Sequence, residues 1–159
     1  MIGEITAVDP NQPVVILGGF LITEEAYQPM AKWLTERGVV DAQVVNVSRY
    51  DWLLTSWSFG WRRVLDRVDE LVKQLQPKSP SDQITLIGHS SGGVMLRLYL
   101  SDQPFEGRRY GGASRVNRLI SLGSPHQAVR AAAKHDRLEP VIDGLLIGLG
   151  GKLVTVTSL

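Results

Sequence analysis

Short runs of apolar, largely β-branched residues alternate along the chain with segments in which apolar residues recur every three or four positions. The apolar runs span residues 14–17, 44–47, 84–87 and 116–122. A continuous apolar run bounded by turn residues is typical of a strand buried on both faces. The alternation therefore predicts an α/β fold, with a parallel sheet of four to five strands joined by right-handed helical crossovers.

The segments between these runs carry helix signals. Helices are predicted over residues 23–38, 61–75 and from about 94 to 101. Thr23 is a candidate N-cap of the first helix, and Gly38 stands where a helix end favours glycine. Pro77 follows the apolar stripe of the second helix and is expected to end it.

Residues 48–61, between the second strand and the second helix, are rich in aromatic side chains, and we predict a connecting loop there. The aromatic residues are Tyr50, Trp52, Trp57, Phe59 and Trp61. They either cover an edge of the sheet or line an apolar substrate groove, since aromatic rings supply large contact area at low entropy cost.

Length and composition bound the class of protein. The 159 residues, 43% of them hydrophobic, suffice for one domain with its own core, and we predict a single domain over residues 1–159. The chain has no cysteine, which excludes disulfides and thiolate chemistry. Its histidines stand apart without carboxylates at ligand spacing, so neither a metal site nor a cofactor is predicted.

Net charge and hydropathy limit the kinds of partner and the cellular location to be expected. A net charge of +1 is far from the basic excess of a phosphate-binding surface, so a nucleic-acid partner is not expected. The first residues show neither a basic leader nor an apolar signal core, and no apolar run has the length of a membrane span. We therefore expect a cytoplasmic protein without a transmembrane segment.

The stretch LIGHSSGGVML, residues 86–96, contains a G-x-S-x-G motif between a predicted strand and a predicted helix. In a nucleophile elbow the serine sits on a strained strand-to-helix turn, and the residues two before and two after it must be small. Gly88 and Gly92 satisfy this requirement around Ser90, whereas a centre at Ser91 would place His89 at a small position. Ser90 is the candidate nucleophile. The alternative is a glycine-rich turn with a helix-capping serine.

Two backbone amides are candidate oxyanion donors. The amide of Ser91 lies at the positive N-terminal end of the following helix. After the first strand, Gly18 and Gly19 allow a close turn that leaves the amide of Phe20 as the second donor. The glycines are not a nucleotide-binding loop, because G-x-G-x-x-G and a Walker lysine are both missing.

These segments together resemble a known superfamily. PVVILGGFL, RYDWL, LIGHSSGGVMLRLYL and LISLGSPHQ stand in an order and spacing similar to those of α/β-hydrolases, in particular the lipase-like group of cyanobacteria and plant plastids. The resemblance covers residues 13–126 and implies a serine esterase or lipase without an evident cap domain. The implied substrate is a small-molecule or lipid ester. Many relatives carry His-Gly where this chain has Gly18-Gly19.

The partners of Ser90 are harder to assign. In this fold an acid and then a histidine follow the nucleophile along the chain. His126, in the LGSPH turn, is the candidate base, and Asp143 is the candidate acid. His89 is adjacent to Ser90 and is expected to point away from its hydroxyl. His135 ends an alanine-rich stretch and is expected to face solvent.

Residues 135–159 diverge from the family pattern. We expect a truncated or frameshifted hydrolase, in which the last strands and the acid and histidine of the triad are lost. Alternatively, the tail forms a strand over residues 152–159 at the edge of the sheet, which would offer an apolar surface for self-association if left uncovered. The alternative function is a catalytically impaired hydrolase that acts as a binding or partner-dependent module.

Overall fold

The computed structural model describes residues 8–124 and the strand residues 153–156. Five parallel strands form one sheet in the order β2-β1-β3-β4-β5. They are β1 (Val14–Leu17), β2 (Ala42–Val44), β3 (Ile84–His89), β4 (Val116–Leu122) and β5 (Leu153–Val156). The predicted parallel sheet is confirmed. Because all the strands run in one direction, their carboxyl ends share one edge of the sheet.

Four helices connect and cover the strands in the described part of the chain. They are α1 (Gln28–Glu36), α2 (Arg49–Leu54), α3 (Ser58–Leu75) and α4 (Ser91–Tyr99). Helices α3 and α4 pack on one face of the sheet, where Val64, Leu65 and Met95 join the larger core. Helix α1 packs on the other face through Ala31 and Leu34. The core of the described residues is therefore a three-layer helix-sheet-helix arrangement, an α/β architecture.

Several boundaries differ from the sequence prediction. The first helical segment begins as a 3₁₀ turn, Glu24–Tyr27, and Thr23 makes no capping hydrogen bond to it. The second strand ends at Val44, because the backbone leaves the sheet after the amide of Val45 bonds to the carbonyl of Ile16. The third predicted helix begins at Ser91, ahead of the two glycines that the sequence suggested would precede it.

The aromatic segment is not a plain loop, which corrects the prediction. Helix α2 forms there because Ser48 and Asp51 make a capping box, in which each side chain bonds the other residue's backbone amide. Trp52 on this helix is buried, and its indole N–H donates to the carbonyl of Ile22 at 3.2 Å. Trp57 and Phe59 are about half exposed. The segment thus both covers the core and presents apolar surface.

Asp51 gives the fold a pH dependence. Burial alone would raise the pKa of this carboxyl, but hydrogen bonds from Ser48 and Arg67 outweigh that effect and lower the pKa from 3.8 to about 2. A lowered folded-state pKa adds stability above the unfolded-state pKa, and this stability is lost as the pH falls toward 2. We therefore expect both proteins to lose stability on acidification, the wild type more than Asp51→Asn. Urea titrations at about pH 5 and pH 2 should show that the free energy of unfolding falls by up to about 2 kcal/mol more in the wild type. Equal losses would contradict this role of Asp51.

No helix in residues 8–124 combines the length and apolar character needed to cross a bilayer.

Candidate active site

Ser90 occupies the turn between β3 and α4. Its backbone has φ 54° and ψ −127°, a conformation that non-glycine residues rarely adopt. The turn is held from two sides, since the amide of Ser90 donates to the carbonyl of Leu122 at 2.9 Å and the amide of Gly93 donates to the carbonyl of Ser90 at 3.1 Å. The side chain of Ser90 makes no capping hydrogen bond. Ser90 thus occupies the N-cap position of α4 without capping it, so the alternative of a helix-capping serine finds no support at Ser90.

The glycines on either side of Ser90 are required by close backbone contacts. A Cβ atom at Gly88 would overlap the backbone of Gly93, and one at Gly92 would overlap the carbonyl oxygens of Leu17 and Gly18. The close approach predicted at these two positions is present. Through Gly92, the start of α4 lies directly against the end of β1 and the loop that follows it.

That loop lies beside Ser90 because β1 and β3 are paired neighbours, with Leu17 opposite Gly88. A Cβ atom at Gly19 would come within 3.1 Å of the Cβ atom of Ser90. The amide of Ile22 donates to the carbonyl of Gly19 at 3.1 Å, which closes a turn. The loop is thus folded closely over the candidate nucleophile.

The amides of Phe20 and Ser91 are the two candidate oxyanion donors. Within residues 8–124, none of the hydrogen bonds uses either amide. The amide of Gly19, in contrast, donates to the hydroxyl of Tyr27 at 2.9 Å. Ser91 is the first residue of α4, where backbone amides have no helical acceptor and the helix dipole is positive. Both predicted donors thus retain the capacity to bind an anion.

His89, the residue before Ser90, bonds to Tyr27. Its Nδ1 atom lies 2.8 Å from the hydroxyl of Tyr27, and their rings are in contact with centroids 5.8 Å apart. The ring is thus used for packing and hydrogen bonding, while the expectation that it points away from the hydroxyl of Ser90 stays a prediction.

The carboxyl end of β4 forms the other side of the site, with Leu122 opposite His89. Gly93 packs against Ser121, which lies near the end of β4, and against Ser124, which follows the strand. The hydroxyls of Ser91 and Ser124 are buried and have no hydrogen-bond partner in the described part of the chain. The candidate partners His126 and Asp143, and also His135, lie outside the described residues.

A family model for palmitoyl protein thioesterases matches residues 13–148, most of the chain. The chain belongs to the palmitoyl protein thioesterase family. This membership confirms the resemblance to α/β-hydrolases. The narrower placement among lipase-like proteins of cyanobacteria and plant plastids stays a prediction. No curated protein matches the chain.

Solved structures agree with the family at the level of the fold. The Bacillus licheniformis lipase BlEst2 in its mature form has a TM-score of 0.52 and 17% identity, over 80% of this chain and 48% of the lipase. S-formylglutathione hydrolase (FrmB) from Staphylococcus aureus has a TM-score of 0.55 and 16% identity, over 94% of this chain and 62% of that protein. An acetylxylan esterase has a TM-score of 0.52 and 15% identity, over 75% of this chain and 65% of the esterase. The chain thus spans about half to two thirds of these proteins.

The sequence does not reveal two features of this candidate site. Tyr27 stands at an apolar position of the first predicted helix, yet its hydroxyl bonds to Gly19 and His89. Leu21 adopts a positive φ of 62° while 41% of its side chain is exposed. No sequence signal marks Leu21. The tyrosine hydroxyl could have been flagged as a buried group that needs a partner.

Proposed function

We propose that this member of the family is a serine hydrolase that cleaves carboxylic esters, and by family analogy thioesters, through an acyl-enzyme on Ser90. The observation that supports it most is the positive φ of Ser90 at the strand-to-helix turn, together with the amides of Phe20 and Ser91, which make no hydrogen bond within residues 8–124. A helix-capping serine would not require this backbone conformation.

The reaction would follow the usual acyl-transfer sequence. The hydroxyl of Ser90 attacks the carbonyl carbon and passes its proton to a histidine, while the amides of Phe20 and Ser91 bind the oxyanion. The histidine returns this proton to the leaving alcohol or thiol as the tetrahedral intermediate collapses to the acyl-enzyme. Water then attacks the acyl-enzyme with the same histidine as base, and the carboxylic acid product leaves.

His126 is the histidine that we propose as base. It stands two positions after Ser124 in the sequence, shortly after the residues of β4. The buried hydroxyls of Ser91 and Ser124 have no hydrogen-bond partner within residues 8–124 and could accept one from a further polar group. Asp143 is the proposed acid, which rests only on the chain order of the triad.

The apolar surface around the loop after β1 supports the proposal that the acyl group of the substrate is apolar. Phe20, Leu21 and Ile22 are exposed by 47%, 41% and 38%, and Leu53 on α2 is half exposed. The ring of Phe20 stands edge-on to Trp52, with centroids 6.2 Å apart, which holds it in place. Exposed apolar side chains on a pinned loop next to a nucleophile are suited to contact a hydrocarbon chain.

A fluorophosphonate probe tests the proposal. The purified chain should gain one adduct by intact mass, peptide mapping should place that adduct on Ser90, and the chain should hydrolyse a nitrophenyl ester. His126→Ala should lower both the labelling rate and the turnover by about 100-fold or more, because Ser90 would lose its base. Labelling at another residue, or none, would overturn the assignment of Ser90.

The second candidate function is a binding module with a hydrolase fold. It would rest on the exposed apolar side chains of Phe20, Leu21 and Leu53, which can contact an apolar ester whether or not Ser90 reacts with it. A chain of this kind would bind an apolar ester without turning it over. Saturable binding of a nitrophenyl ester together with unlabelled Ser90 would select this alternative.

A further inference from the structure

The hydroxyl of Tyr27 bridges the two halves of the candidate active site. It accepts a hydrogen bond from the amide of Gly19 at 2.9 Å, on the loop after β1. It also lies 2.8 Å from Nδ1 of His89, the residue that immediately precedes Ser90. One oxygen atom therefore touches both the loop that carries a candidate oxyanion donor and the turn that carries the candidate nucleophile.

The position of this oxygen is set by packing of the tyrosine ring. The side chain of Tyr27 is only 8% exposed and belongs to the core between α1 and the sheet. The ring lies so close to Gly18 that a Cβ atom there would overlap it. Tyr27 thus supports the loop through ring contact at Gly18 and through the hydrogen bond at Gly19.

The bond between Tyr27 and His89 can run in either direction. An amide can only donate, so the bond from Gly19 uses the tyrosine oxygen as an acceptor, and that oxygen can still donate its proton to Nδ1 or accept from it. Among the hydrogen bonds of residues 8–124, the hydroxyl proton of Tyr27 has no acceptor other than Nδ1. This favours donation from Tyr27 to His89, with the imidazole proton on Nε2.

We infer that Tyr27 and His89 form a positioning pair, in which their hydrogen bond holds the loop after β1 in the register that the oxyanion needs. The inference rests on the proposed function for its consequence, but the hydrogen bond and the tautomer can be tested without activity. The pair occupies the amide of Gly19 and so leaves the amide of Phe20 as the donor on this side. It also makes His89 unsuited to be the base for Ser90, since Nδ1 is occupied and Nε2 carries a proton.

Nitrogen-15 NMR of the uniformly labelled chain tests the bond directly. We expect His89 to show the Nε2–H tautomer, with an Nδ1 signal that is assigned by its loss in His89→Asn. The Nδ1 signal should shift in Tyr27→Phe and stay unchanged in Tyr110→Phe. Tyr110 is the matched control because it is similarly buried, at 6% exposure, and its hydroxyl bonds to Asp66 at 2.7 Å. An Nδ1–H tautomer, or a signal indifferent to Tyr27→Phe, would overturn the inference.

Kinetics test the positioning role. In Tyr27→Phe the ring still packs on Gly18 but the bridge is lost, and misplacement of a catalytic group by about 1 Å can cost up to about 100-fold in rate. We expect kcat and the fluorophosphonate labelling rate to fall by about 10-fold or more, with KM changed by less than about 2-fold. Tyr110→Phe should leave kcat unchanged even if it lowers the melting temperature.

Two substitutions of His89 test whether a hydrogen-bond partner for Tyr27 is enough to keep the reaction rate. Asparagine places an amide oxygen near the position of Nδ1, so His89→Asn keeps an acceptor for Tyr27, whereas His89→Leu removes it. We expect His89→Asn to retain most of the labelling rate. His89→Leu should lose more than His89→Asn but no more than Tyr27→Phe, because it leaves the bond from Gly19 in place. The double variant Tyr27→Phe/His89→Leu should be no slower than Tyr27→Phe alone, because Tyr27→Phe already breaks both bonds of the hydroxyl.

The outcomes separate this inference from the proposed function. If Ser90 is labelled but Tyr27→Phe reacts at the wild-type rate, the positioning role is wrong and the hydrolase proposal stands. If Ser90 is not labelled in the wild type, the hydrolase proposal fails, while the NMR result still decides whether the Tyr27–His89 bond and the Nε2–H tautomer exist.

Discussion

Ser90→Ala should abolish fluorophosphonate labelling and lower ester turnover by about 10⁴-fold or more relative to the wild type. The magnitude follows from removing the attacking atom, which leaves only oxyanion binding and substrate positioning to accelerate the reaction. The free energy of unfolding should change by less than about 1 kcal/mol, since the serine hydroxyl makes no capping bond. The measurements are intact mass after labelling, nitrophenyl ester turnover and a urea titration.

Ser91→Ala is the matched control for this prediction. The hydroxyl of Ser91 is buried without a partner in the described part of the chain, so its removal breaks no known bond there. The alanine keeps the backbone amide that we propose as an oxyanion donor. Labelling and turnover should therefore stay within a few-fold of the wild type. The choice of Ser90 over Ser91 would be wrong if Ser91→Ala were the inactive variant.

Gly92→Ala should destabilise the fold by about 2–4 kcal/mol and slow the labelling of Ser90. The added Cβ atom would overlap the carbonyl oxygens of Leu17 and Gly18. These are backbone atoms, and they cannot rotate away as a side chain can, so α4 must move off the end of β1. The cost should appear despite a gain of about 1 kcal/mol in helix propensity from replacing glycine. A urea titration and the labelling rate measure the two effects.

Gly93→Ala serves as the comparison, because it makes the same substitution one position along the same helix. Its Cβ atom would meet the hydroxyls of Ser121 and Ser124 and would lie 2.9 Å from the Cβ atom of Ser124. The hydroxyls can change rotamer, and only the contact with the Cβ atom requires a backbone shift, so we expect a smaller loss of stability than in Gly92→Ala. Equal losses would show that the contact of Gly92 with the end of β1 is not what demands a glycine.

Much of the fold can be predicted from the sequence because the strands are buried on both faces. The apolar runs at Val14–Leu17 and Val116–Leu122 coincide with β1 and β4, and even the edge strand expected near the C-terminus is present as β5, Leu153–Val156. The apolar stripe of α3 is likewise buried at Val64, Val68 and Val72. Buried positions carry apolar residues, in continuous runs along these strands and at helical spacing along α3, and this pattern can be read from a single sequence.

Helix α2 and the start of α4 could not be predicted by the same signal. Helix α2 depends on the capping box of Ser48 and Asp51 and on two arginines that contact Asp51 from α3, twelve and sixteen residues along the chain. The start of α4 carries glycines, which favour other conformations locally. Their helical state is imposed by packing against the end of β1.

By itself the sequence determined the parallel sheet, the strand-to-helix turn at Ser90 and the need for glycine at positions 88 and 92, because each of these leaves a local signal in residue type and spacing. Only the tertiary structure decided which groups meet there. The bridge from Tyr27 to Gly19 and His89 joins residues up to 62 positions apart, and no local pattern encodes a hydrogen bond over that separation. Such contacts form only after the sheet has brought β1 and β3 side by side.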